Sequence, residues 1–445
     1  MTSLFGTDGV RGRANVQLTP ELAVALGRAT AQVICPRGGR AIIGRDTRFS
    51  GPMLEGALAA GFASQGLDVL LAGIIPTPAI SFLIKDERAD LGAVISASHN
   101  PPADNGIKFF DRRGMKLAVA QEEAIESAIT VAVERSSTVG MIQPLEATAA
   151  RYAAFLTGTI ESEEVDLSQH TIVVDCAYGA TGEIAPRVLR RLGARVIELH
   201  CSHDGARINQ GCGSTDLGPL REAVSAEHAV LGIAFDGDGD RVMLVSSSGG
   251  TIDGDRMIGI AALDRQRRGT LDPPVVVSTI MSNVGLERTL ARFGVALART
   301  PVGDRHVSQA MLDRGAKVGG EPSGHVIFAD HSPTGDGILT AVKLLEIAHE
   351  RDADLADLAS EIELLPQVSR SIEVDDAEAM MADETVRAAI DREARLLGDR
   401  GRLIVRPSGT QPLIRIMVEG EDPTACEETC DRIGTALADS GSRRG

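Results

Sequence analysis

The sequence has no long apolar run. Its apolar stretches fall well short of the roughly eighteen consecutive residues that a membrane-spanning helix requires. The start, MTSLFGTDGVRG, also lacks the basic region and apolar segment of a secretory signal peptide. We therefore expect a soluble, unexported protein of the cytoplasm with no membrane partner.

The six cysteines lack the spacing of a metal or redox motif. No C-x-x-C pair occurs, which argues against a zinc site, and the scatter of the cysteines along the chain argues against a disulfide framework. Cys426 and Cys430 are one helical turn apart, which places them on one face without making them ligands. The sequence predicts reduced thiols in the protein core.

Basic residues are also fewer than acidic ones. The chain has 62 acidic and 45 basic residues, which gives a formal net charge of −17 at pH 7. Such a charge repels nucleic acid and anionic membranes in general, so we expect neither as a partner. An anionic substrate could bind only at a local cluster of basic side chains and backbone N–H groups.

What the sequence does contain is a repeated α/β rhythm. The chain has 445 residues, 43% of them hydrophobic, which is long enough for several domains. Three segments alternate short β-branched runs, such as RAIIGRD, TIVVDC and PPVVVST, with Gly-rich loops and helix-length patterns. This predicts α/β units with largely parallel sheets, followed by a smaller α+β unit. We place the domains at residues 1–150, 151–255, 256–365 and 366–445.

Four unusual loops follow predicted strands, one in each domain. They are SASHNPP, DGDGDR, GEPSGH and RPSGT. Because ligands of α/β proteins gather beyond the carboxyl ends of strands, these loops predict a single cleft between the domains.

The acidic loop has aspartate at every second position. In FDGDGDR, Asp236, Asp238 and Asp240 alternate with glycine, so a tight turn can direct three carboxylates to one point. Carboxylates so close repel one another unless a cation lies among them, and oxygen ligands favour a hard divalent ion, Mg²⁺ first. An EF-hand does not fit, because Arg241 and Ser247 occupy its glycine and glutamate positions. A solvated Asp-Gly turn in a β-hairpin is the alternative.

The serine loop, ISASHNPP, allows three interpretations. A Ser–His hydrolase is disfavoured, because no G-x-S-x-G elbow is present and Ser98 and His99 would point apart if the strand continued. An unreactive loop of small residues at a strand end is the second interpretation. In the third, Asn-Pro-Pro stops the strand and Ser98 carries a phosphoryl group beside the metal, for transfer to a sugar hydroxyl. Ser96, two residues earlier, would then support the site by hydrogen bonding.

Five motifs, FGTDGVRG, SASHNPPADNGIKFF, FDGDGDR, GGEPSGHVIF and RPSGTQPLIRIMVEG, together resemble the α-D-phosphohexomutase superfamily over essentially the whole chain. Within it, FGTDGVRGRAN and HSPTGDGILTA look most like the bacterial branch that acts on glucosamine phosphates. The resemblance implies three related α/β domains and a C-terminal α+β domain of the TATA-binding-protein-like kind around a central cleft. It also implies interconversion of glucosamine 6-phosphate and glucosamine 1-phosphate through a phosphoserine and a 1,6-bisphosphate, in the synthesis of UDP-N-acetylglucosamine and cell-wall precursors.

The resemblance also implies roles for individual residues. The phosphoserine falls on Ser98. One Mg²⁺ per chain would be held by Ser98 together with Asp236, Asp238 and Asp240. The sugar-binding loop falls on Glu321 and Ser323. The phosphate-binding loop falls on Arg406, Ser408, Gly409 and Thr410.

Four further side chains are predicted around the transferred phosphoryl group. Lys108 and His325 are the candidates for moving protons, because an attacking hydroxyl loses a proton as it takes the phosphoryl group. Arg11 and Arg241 would offset negative charge around phospho-Ser98, and Arg241 would also contact the substrate.

Two positions depart from the usual superfamily pattern. Pro322 replaces a glutamine and is expected to stiffen the sugar loop, and Gln411 replaces a glutamate and removes one negative charge from the phosphate loop. The expected partner is a phosphorylated amino sugar, and the resemblance implies a homodimer. The nearest alternative is a phosphomannomutase/phosphoglucomutase of the same superfamily, and a more distant one is a non-catalytic phosphosugar-binding regulator.

Overall fold

The structure is a computed structural model, of which we describe residues 4–6, 8–130, 136–162, 165–407 and 413–442. The chain forms two compact units. The first comprises Met1–Met281 and Phe293–Glu361, and the second comprises Ser282–Arg292 and Ile362–Gly445. None of the helices in the described part of the chain is long and apolar enough to cross a membrane.

The first unit begins with a six-stranded mixed sheet. Its strands are β1 (Val10–Arg13), β2 (Gly39–Arg45), β3 (Leu67–Ile74), β4 (Leu91–Ile95), β5 (Asp104–Asp111) and β6 (Ile142–Pro144), in the order β1-β5-β4-β2-β3-β6. The accompanying helices are α1 (Pro20–Ile34), α2 (Gly51–Ala63), α3 (Thr77–Asp86), α4 (Val119–Thr130) and α5 (Thr148–Gly158). Strands β2, β3, β4 and β6 are parallel, whereas β5 is antiparallel to β4 and β1.

Two glycines let α1 and α2 pack backbone against backbone. A Cβ atom at Gly27 would lie 2.7 Å from Leu58 O, and one at Gly61 would lie 2.6 Å from Val24 O. Such distances leave no room for a side chain, so the helices can approach this closely only with glycine at both positions. Because α2 follows β2 directly, this packing also fixes the ends of the connecting loop, residues 46–50.

A five-stranded sheet follows in the first unit. Its strands are β7 (Thr171–Asp175), β8 (Arg195–Leu199), β9 (Leu231–Phe235), β10 (Val242–Ser246) and β11 (Thr251–Ile252), in the order β11-β10-β9-β7-β8. The helices are α6 (Ile184–Arg191) and α7 (Gly218–Ala226). The β9 sequence LGIAF is buried throughout, as its unbroken apolar run predicts. Strands β9 and β10 form an antiparallel hairpin, and the acidic loop is its turn.

The third sheet of the first unit has four strands. They are β12 (Val275–Thr279), β13 (Ala296–Thr300), β14 (Val318–Gly320) and β15 (Val326–Phe328), in the order β13-β12-β14-β15. The helices are α8 (Gly254–Arg267), α10 (Asp304–Arg314), α11 (Gly337–Glu350) and α12 (Leu355–Ser360). Strand β15 returns antiparallel to β14, and the sugar loop connects the two.

The second unit is a three-stranded antiparallel sheet with helices. Its strands are β16 (Gln367–Glu373), β17 (Gly401–Pro407) and β18 (Leu413–Gly420), in the order β16-β18-β17. Its helices are α9 (Val284–Arg292), α13 (Ala377–Ala382), α14 (Glu384–Leu397) and α15 (Pro423–Ser442). The core includes Val386 of α14, Ile416 of β18, and Cys426 and Cys430 of α15.

The predicted fold class is confirmed, with one difference in sheet geometry. Three α/β sheets precede a smaller α+β unit, as the sequence indicated. The centre of each α/β sheet is parallel, but β5, β10 and β15 return by direct connections and make one edge antiparallel. These short returns do not need a crossover helix, and they carry the serine, acidic and sugar loops.

The predicted state of the cysteines is also confirmed. All six are free thiols, five are buried, and Cys201 is half-buried. Cys426 and Cys430 share one face of α15 and both lie in the core of the second unit. The cysteines thus act as small apolar core residues.

A buried carboxyl group links α5 to α11 in the first unit. Asp336 caps α11 by accepting a hydrogen bond from Leu339 N at 3.0 Å, and it also accepts one from the Tyr152 hydroxyl of α5. Asp336 is 1% exposed, and burial raises its pKa from 3.8 to about 6. The folded protein therefore holds this proton more tightly than the unfolded chain does. As the pH rises from about 4 to above 6, loss of the proton from Asp336 lowers the free energy of unfolding.

We expect Asp336→Asn to become more stable relative to wild type as the pH rises from 4.5 to 7.5. The amide keeps an acceptor for Leu339 N–H and removes the buried charge. With the pKa raised from 3.8 to about 6, that charge costs on the order of 3 kcal/mol of stability at pH 7. The measurement is the urea midpoint across this pH range. Asp354→Asn, at the exposed cap of α12, is the control and should show no such trend. A difference that is constant with pH would contradict the prediction.

Candidate active site

The serine loop connects β4 to β5 and holds Ser98 in a left-handed backbone conformation. Strand β4 ends at Ile95, and φ of Ser98 is +52°, a value that non-glycine residues rarely adopt. The Ser98 N–H donates to Ser96 Oγ at 2.9 Å. The strand alternation therefore ends before Ser98, and Ser96 supports the backbone of Ser98 by hydrogen bonding.

The Ser98 hydroxyl has a carboxylate as its hydrogen-bond acceptor. It donates to Asp236 Oδ2 at 2.6 Å, and the side chain is almost completely buried. His99 Nδ1 lies 3.4 Å from Ser98 Oγ. The two side chains would point apart only if the strand continued, and the left-handed turn at Ser98 ends the strand geometry.

The acidic loop is a hairpin turn, but it is not a solvated one. Asp236 and Asp238 are fully buried and Asp240 is 4% exposed. One carboxylate oxygen from each lies within 4.8 Å of the other two. Burial, with the neighbouring carboxylates of Asp240 and Asp238, raises the pKa of Asp236 well above its usual value. The alternative of a solvated Asp-Gly turn is therefore wrong.

This cluster fits a divalent cation. Among the residues that the structure describes, Asp238 Oδ1 and Asp240 Oδ1 are buried and accept no hydrogen bond. Buried carboxylate oxygens without a donor are costly, and a cation among them would offset that cost. Because all the side-chain ligands are oxygens, the donor set suits a hard ion.

Lys108 lies beside the acidic loop as a buried ammonium group. It is on β5, with 1% of its surface exposed. Nζ lies 3.0 Å from Asp238 Oδ2 and 3.1 Å from Asp8 Oδ2. Burial alone would lower the pKa of Lys108, but the carboxylates of Asp238, Asp8 and Asp240 raise it above its usual value. The charge of Lys108 is thus fixed at the site by carboxylates on two sides.

Two arginines approach the serine loop from different elements. Arg11, on β1, donates from Nη1 to Asn100 Oδ1 at 3.3 Å. Arg241 follows the acidic loop and donates its backbone N–H to Asp236 Oδ1 at 3.2 Å. The Arg241 guanidinium itself lies beside the acidic loop, with Nε 3.9 Å from Asp240 Oδ1. Both guanidinium groups can therefore offset negative charge near Ser98.

The sugar loop predicted from GEPSGH joins β14 to β15. Glu321 Oε1 accepts a hydrogen bond from Gly303 N at 3.0 Å, and Ser323 Oγ lies 3.4 Å from Glu321 Oε2. The carbonyl of Pro322 accepts from Gly254 N, at the start of α8, at 3.1 Å. The loop is therefore anchored through both the Glu321 carboxylate and the backbone of Pro322.

His325 links the sugar loop to the acidic loop. The ring is buried, its Nδ1 lies 3.6 Å from Asp240 Oδ2, and its Nε2 accepts a hydrogen bond from Gly335 N at 3.0 Å. That bond requires the lone pair of Nε2, so we assign the proton of the neutral ring to Nδ1, on the side of Asp240. Only Nδ1 is then available for proton transfer.

Three charged residues near the site were not singled out in the sequence. Lys116 contacts the carboxylates of both Asp8 and Asp304. Asp304 also has a carboxylate oxygen within 4.8 Å of ligand atoms of Asp240 and His325. Asp8 and Asp304 lie in conspicuous segments, FGTDGVRG and PVGDRH, but no sequence signal pairs Lys116 with a residue 188 positions away.

The predicted phosphate loop belongs to the second unit. Arg406 lies near the end of β17 and pairs in register with Arg415 of β18. Ser408, Gly409, Thr410 and Gln411 lie outside the described residues. In the first unit, the structure brings together Arg11, Ser98, Lys108, Asp236, Asp238, Asp240, Arg241 and His325.

Sequence models of one family match most of the chain. Residues 2–135, 150–249 and 253–364 match phosphoglucomutase/phosphomannomutase alpha/beta/alpha domains I, II and III. Residues 371–436 match the C-terminal domain of the same family. The predicted content of four domains is thus confirmed.

Curated relatives match over nearly their full lengths. A phosphoglucosamine mutase of Pelotomaculum thermopropionicum is 46% identical over 440 residues, covering 97% of this chain and 98% of that protein. A phosphoglucosamine mutase of Carboxydothermus hydrogenoformans has the same identity and the same coverage.

Solved structures share the fold. A phosphoglucomutase/phosphomannomutase family protein of Burkholderia thailandensis has a TM-score of 0.83 at 26% identity, covering 98% of this chain and 97% of that chain. The N-acetylphosphoglucosamine mutase of Aspergillus fumigatus, in complex with GlcNAc-6P and magnesium, has a TM-score of 0.71 at 16% identity, with coverages of 98% and 96%. At 16% identity, the similarity to the Aspergillus fumigatus structure shows a shared fold and nothing more.

Proposed function

The chain belongs to the phosphoglucomutase/phosphomannomutase family and is a phosphosugar isomerase, and we propose that it interconverts glucosamine 6-phosphate and glucosamine 1-phosphate. The names of the curated relatives at 43–46% identity favour the amino sugar over other hexose phosphates. The observation that carries the proposal is the 2.6 Å hydrogen bond from Ser98 Oγ to Asp236, within a buried cluster of three carboxylates.

The proposed reaction is a relay through Ser98. The P–O bond to Ser98 Oγ breaks as phosphorus bonds to the free hydroxyl oxygen of the bound monophosphate, giving a 1,6-bisphosphate. The substrate hydroxyl loses a proton and Ser98 Oγ gains one, so charge and atoms balance. After the bisphosphate turns around, its other phosphoryl group returns to Ser98 by the same steps in reverse.

Asp236, Asp238 and Asp240, with phospho-Ser98, would hold one Mg²⁺. When bound, this ion would draw negative charge off the phosphoryl oxygens during transfer. The two buried carboxylate oxygens that lack donors support this assignment. Asp236 also orients the Ser98 side chain of the unphosphorylated protein by accepting its hydrogen bond.

Four side chains are proposed to handle charge and protons. Arg11 and Arg241 offset the charge of the phosphoryl group on Ser98. Of the two predicted proton-transfer residues, Lys108 would hold its proton at Nζ as a fixed charge, because carboxylates raise its pKa, and His325 Nδ1 would move protons. The hydrogen bond from Gly335 to His325 Nε2 supports the choice of Nδ1.

The substrate would be held at its sugar and at its distal phosphate. Glu321 and Ser323 can hydrogen-bond sugar hydroxyls. Phosphate binding is assigned to Arg406, Ser408, Gly409 and Thr410. We also propose that the enzyme works in the cytoplasm and as a homodimer, for which the resemblance to its relatives is the support.

The experiment that tests the proposed function is a comparison of substrates. Glucosamine 1-phosphate, glucose 1-phosphate and mannose 1-phosphate are assayed as separate substrates with purified protein, and kcat/KM is determined for each. We expect glucosamine 1-phosphate to be preferred by roughly 100-fold, because the other two sugars carry a neutral hydroxyl at C2 and cannot make the charge-assisted hydrogen bonds of an ammonium group. A preference for mannose or glucose phosphate would reject the proposed substrate. If none of the three sugar phosphates is isomerised, the proposed activity itself is rejected.

A further inference from the structure

The backbone of Ser98 is held by two side chains from different parts of the first unit. The carbonyl oxygens of Ser98 and Asn100 each accept two hydrogen bonds. Arg48 Nη2 donates to them at 3.0 and 2.7 Å, and Asn209 Nδ2 donates at 2.9 and 3.1 Å. Arg48 lies between β2 and α2, whereas Asn209 lies in the segment after β8.

Arg48 has all five of its N–H groups engaged. Nε donates to Asp46 Oδ2 at 2.9 Å, and Nη1 donates to Asp104 O at 3.0 Å and to Pro101 O. With the two bonds from Nη2, four of the five donors are directed at the backbone of residues 98–104. The side chain is fully buried, so these bonds are not exchanged with water.

The same network reaches the N–H side of Ser98. Asp46 Oδ2, which binds Arg48, also accepts from Ser96 Oγ at 2.5 Å, and Ser96 Oγ accepts from Ser98 N at 2.9 Å. The Ser98 residue is thus held at both its N–H and its carbonyl. This matters because φ of +52° is unfavourable for serine and persists only where neighbouring groups impose it.

Asn209 connects this network to the part of the chain that carries the acidic loop. Its backbone N–H donates to Ala177 O at 3.1 Å, just after β7. A Cβ atom at Gly237, inside the acidic loop, would lie 2.9 Å from both Ser98 O and Asn209 Nδ2. The acidic loop therefore packs directly on the carbonyl that Arg48 and Asn209 hold.

We propose that Arg48 and Asn209 form a carbonyl clamp on Ser98 and Asn100 that positions Ser98 Oγ against Asp236 and so sets the rate of phosphoryl transfer. This inference rests on the proposed function. Arg48 is fully buried and the Asn209 amide donates to backbone carbonyls of the serine loop, so we treat both as positioning residues. The clamp controls the alignment of the phosphoryl group with the attacking hydroxyl, and an error of about 1 Å in such alignment can cost about 100-fold in rate.

The test uses the full-length protein and the variants Arg48→Ala, Arg48→Lys, Asn209→Ala and the double alanine variant. We expect Arg48→Ala to lower kcat by about 100-fold and Asn209→Ala by about 10-fold, with KM nearly unchanged. Arg48→Lys should resemble Arg48→Ala, because an ammonium group cannot replace a planar fork of five donors. The double variant should lose less than the product of the single losses, since both residues hold the same two carbonyls.

Guanidinium rescue separates positioning from a general structural role. Added guanidinium ion should restore kcat of Arg48→Ala several-fold and leave Asn209→Ala unchanged. The matched control is Arg265→Ala, whose half-buried guanidinium pairs with Asp330 at 2.8 Å, away from the serine loop; it should keep wild-type kinetics. Hydrogen exchange of residues 96–104, measured without substrate, should accelerate in both clamp variants and not in the control.

The possible results tell failure of the clamp proposal apart from failure of the proposed function. If wild type does not isomerise the sugar phosphates, the proposed function fails, while the exchange result still decides whether the clamp exists. A rise in KM at unchanged kcat, or unchanged exchange of the loop in Asn209→Ala, would overturn the clamp. Should Arg48→Ala fail to fold, Asn209→Ala decides alone, because Asn209 is half-buried and its removal leaves Arg48 in place.

Discussion

Ser98→Ala is expected to lower kcat by at least about 10⁴-fold, because it removes the oxygen that carries the phosphoryl group. The fold should survive, since the backbone of Ser98 keeps its bonds to Ser96, Arg48 and Asn209. Alanine at φ of +52° costs about as much as serine does, so little new strain arises. The measurements are a coupled isomerisation assay and a thermal melt. Ser81→Ala, at a buried serine in α3, is the control and should keep wild-type turnover.

The phosphoryl group should be found on Ser98 in purified wild-type protein. Trypsin releases Ser96 and Ser98 in one peptide, because cleavage occurs after Arg88 and Lys108. Total peptide mass therefore cannot separate them, and fragment ions between the two serines are required. Phosphate on Ser96, or an active Ser98→Ala protein, would contradict the relay.

Asp238→Asn is expected to weaken activation by Mg²⁺ by roughly 100-fold. Asp238 Oδ1 is one of the two acidic-loop oxygens that are buried without a donor, and Oδ2 accepts from Thr77 Oγ1 at 2.6 Å and from Lys108 Nζ at 3.0 Å. Asparagine keeps an oxygen for Thr77 but removes the charge that attracts the cation. The measurements are kcat against Mg²⁺ concentration and direct binding of Mn²⁺ by electron spin resonance.

The matched control for this variant is Asp264→Asn. Asp264 is also a buried carboxylate, paired with Arg351 at 2.8 Å and remote in sequence from the acidic loop. It should lose stability while keeping the metal dependence of wild type. Equal affinity for Mn²⁺ in Asp238→Asn and wild type would show that Asp238 is not a ligand.

The loops were predictable from sequence because their signals are local. Aspartates that alternate with glycine between two apolar runs define the acidic loop, and the end of an apolar run defines the serine loop. These local signals do not show which distant side chains hydrogen-bond to each loop. Arg48 lies in an ordinary-looking RDTR segment, and its role depends on carbonyl groups about fifty residues away. The left-handed turn at Ser98 was likewise unpredictable, since it is imposed by tertiary hydrogen bonds rather than by glycine.

The sequence predicted largely parallel sheets and, apart from the hairpin considered for the acidic loop, did not indicate which edges are antiparallel. A short strand such as LGAVI of β4 or VGG of β14 carries no sign of whether its neighbour returns directly or through a helix. The direction is set by loop length and by what the loop must bring together. The boundaries at residues 150, 255 and 366 stay predictions, although α9 joins the second unit while the strands on either side of it belong to the first.

The hydrogen bond between Tyr152 and Asp336 has a consequence for synthesis on the ribosome. Asp336 is made 184 residues after Tyr152. At about 5–20 residues per second, the α5 face that carries this tyrosine waits roughly 10–40 s for its partner. In the folded protein the rings of Tyr152, Phe82 and Phe155 pack together at α5, a helix that α11 contacts, so this aromatic surface lacks its α11 neighbour during that interval. Nascent chains paused between these two positions are therefore the ones that should depend most on chaperones.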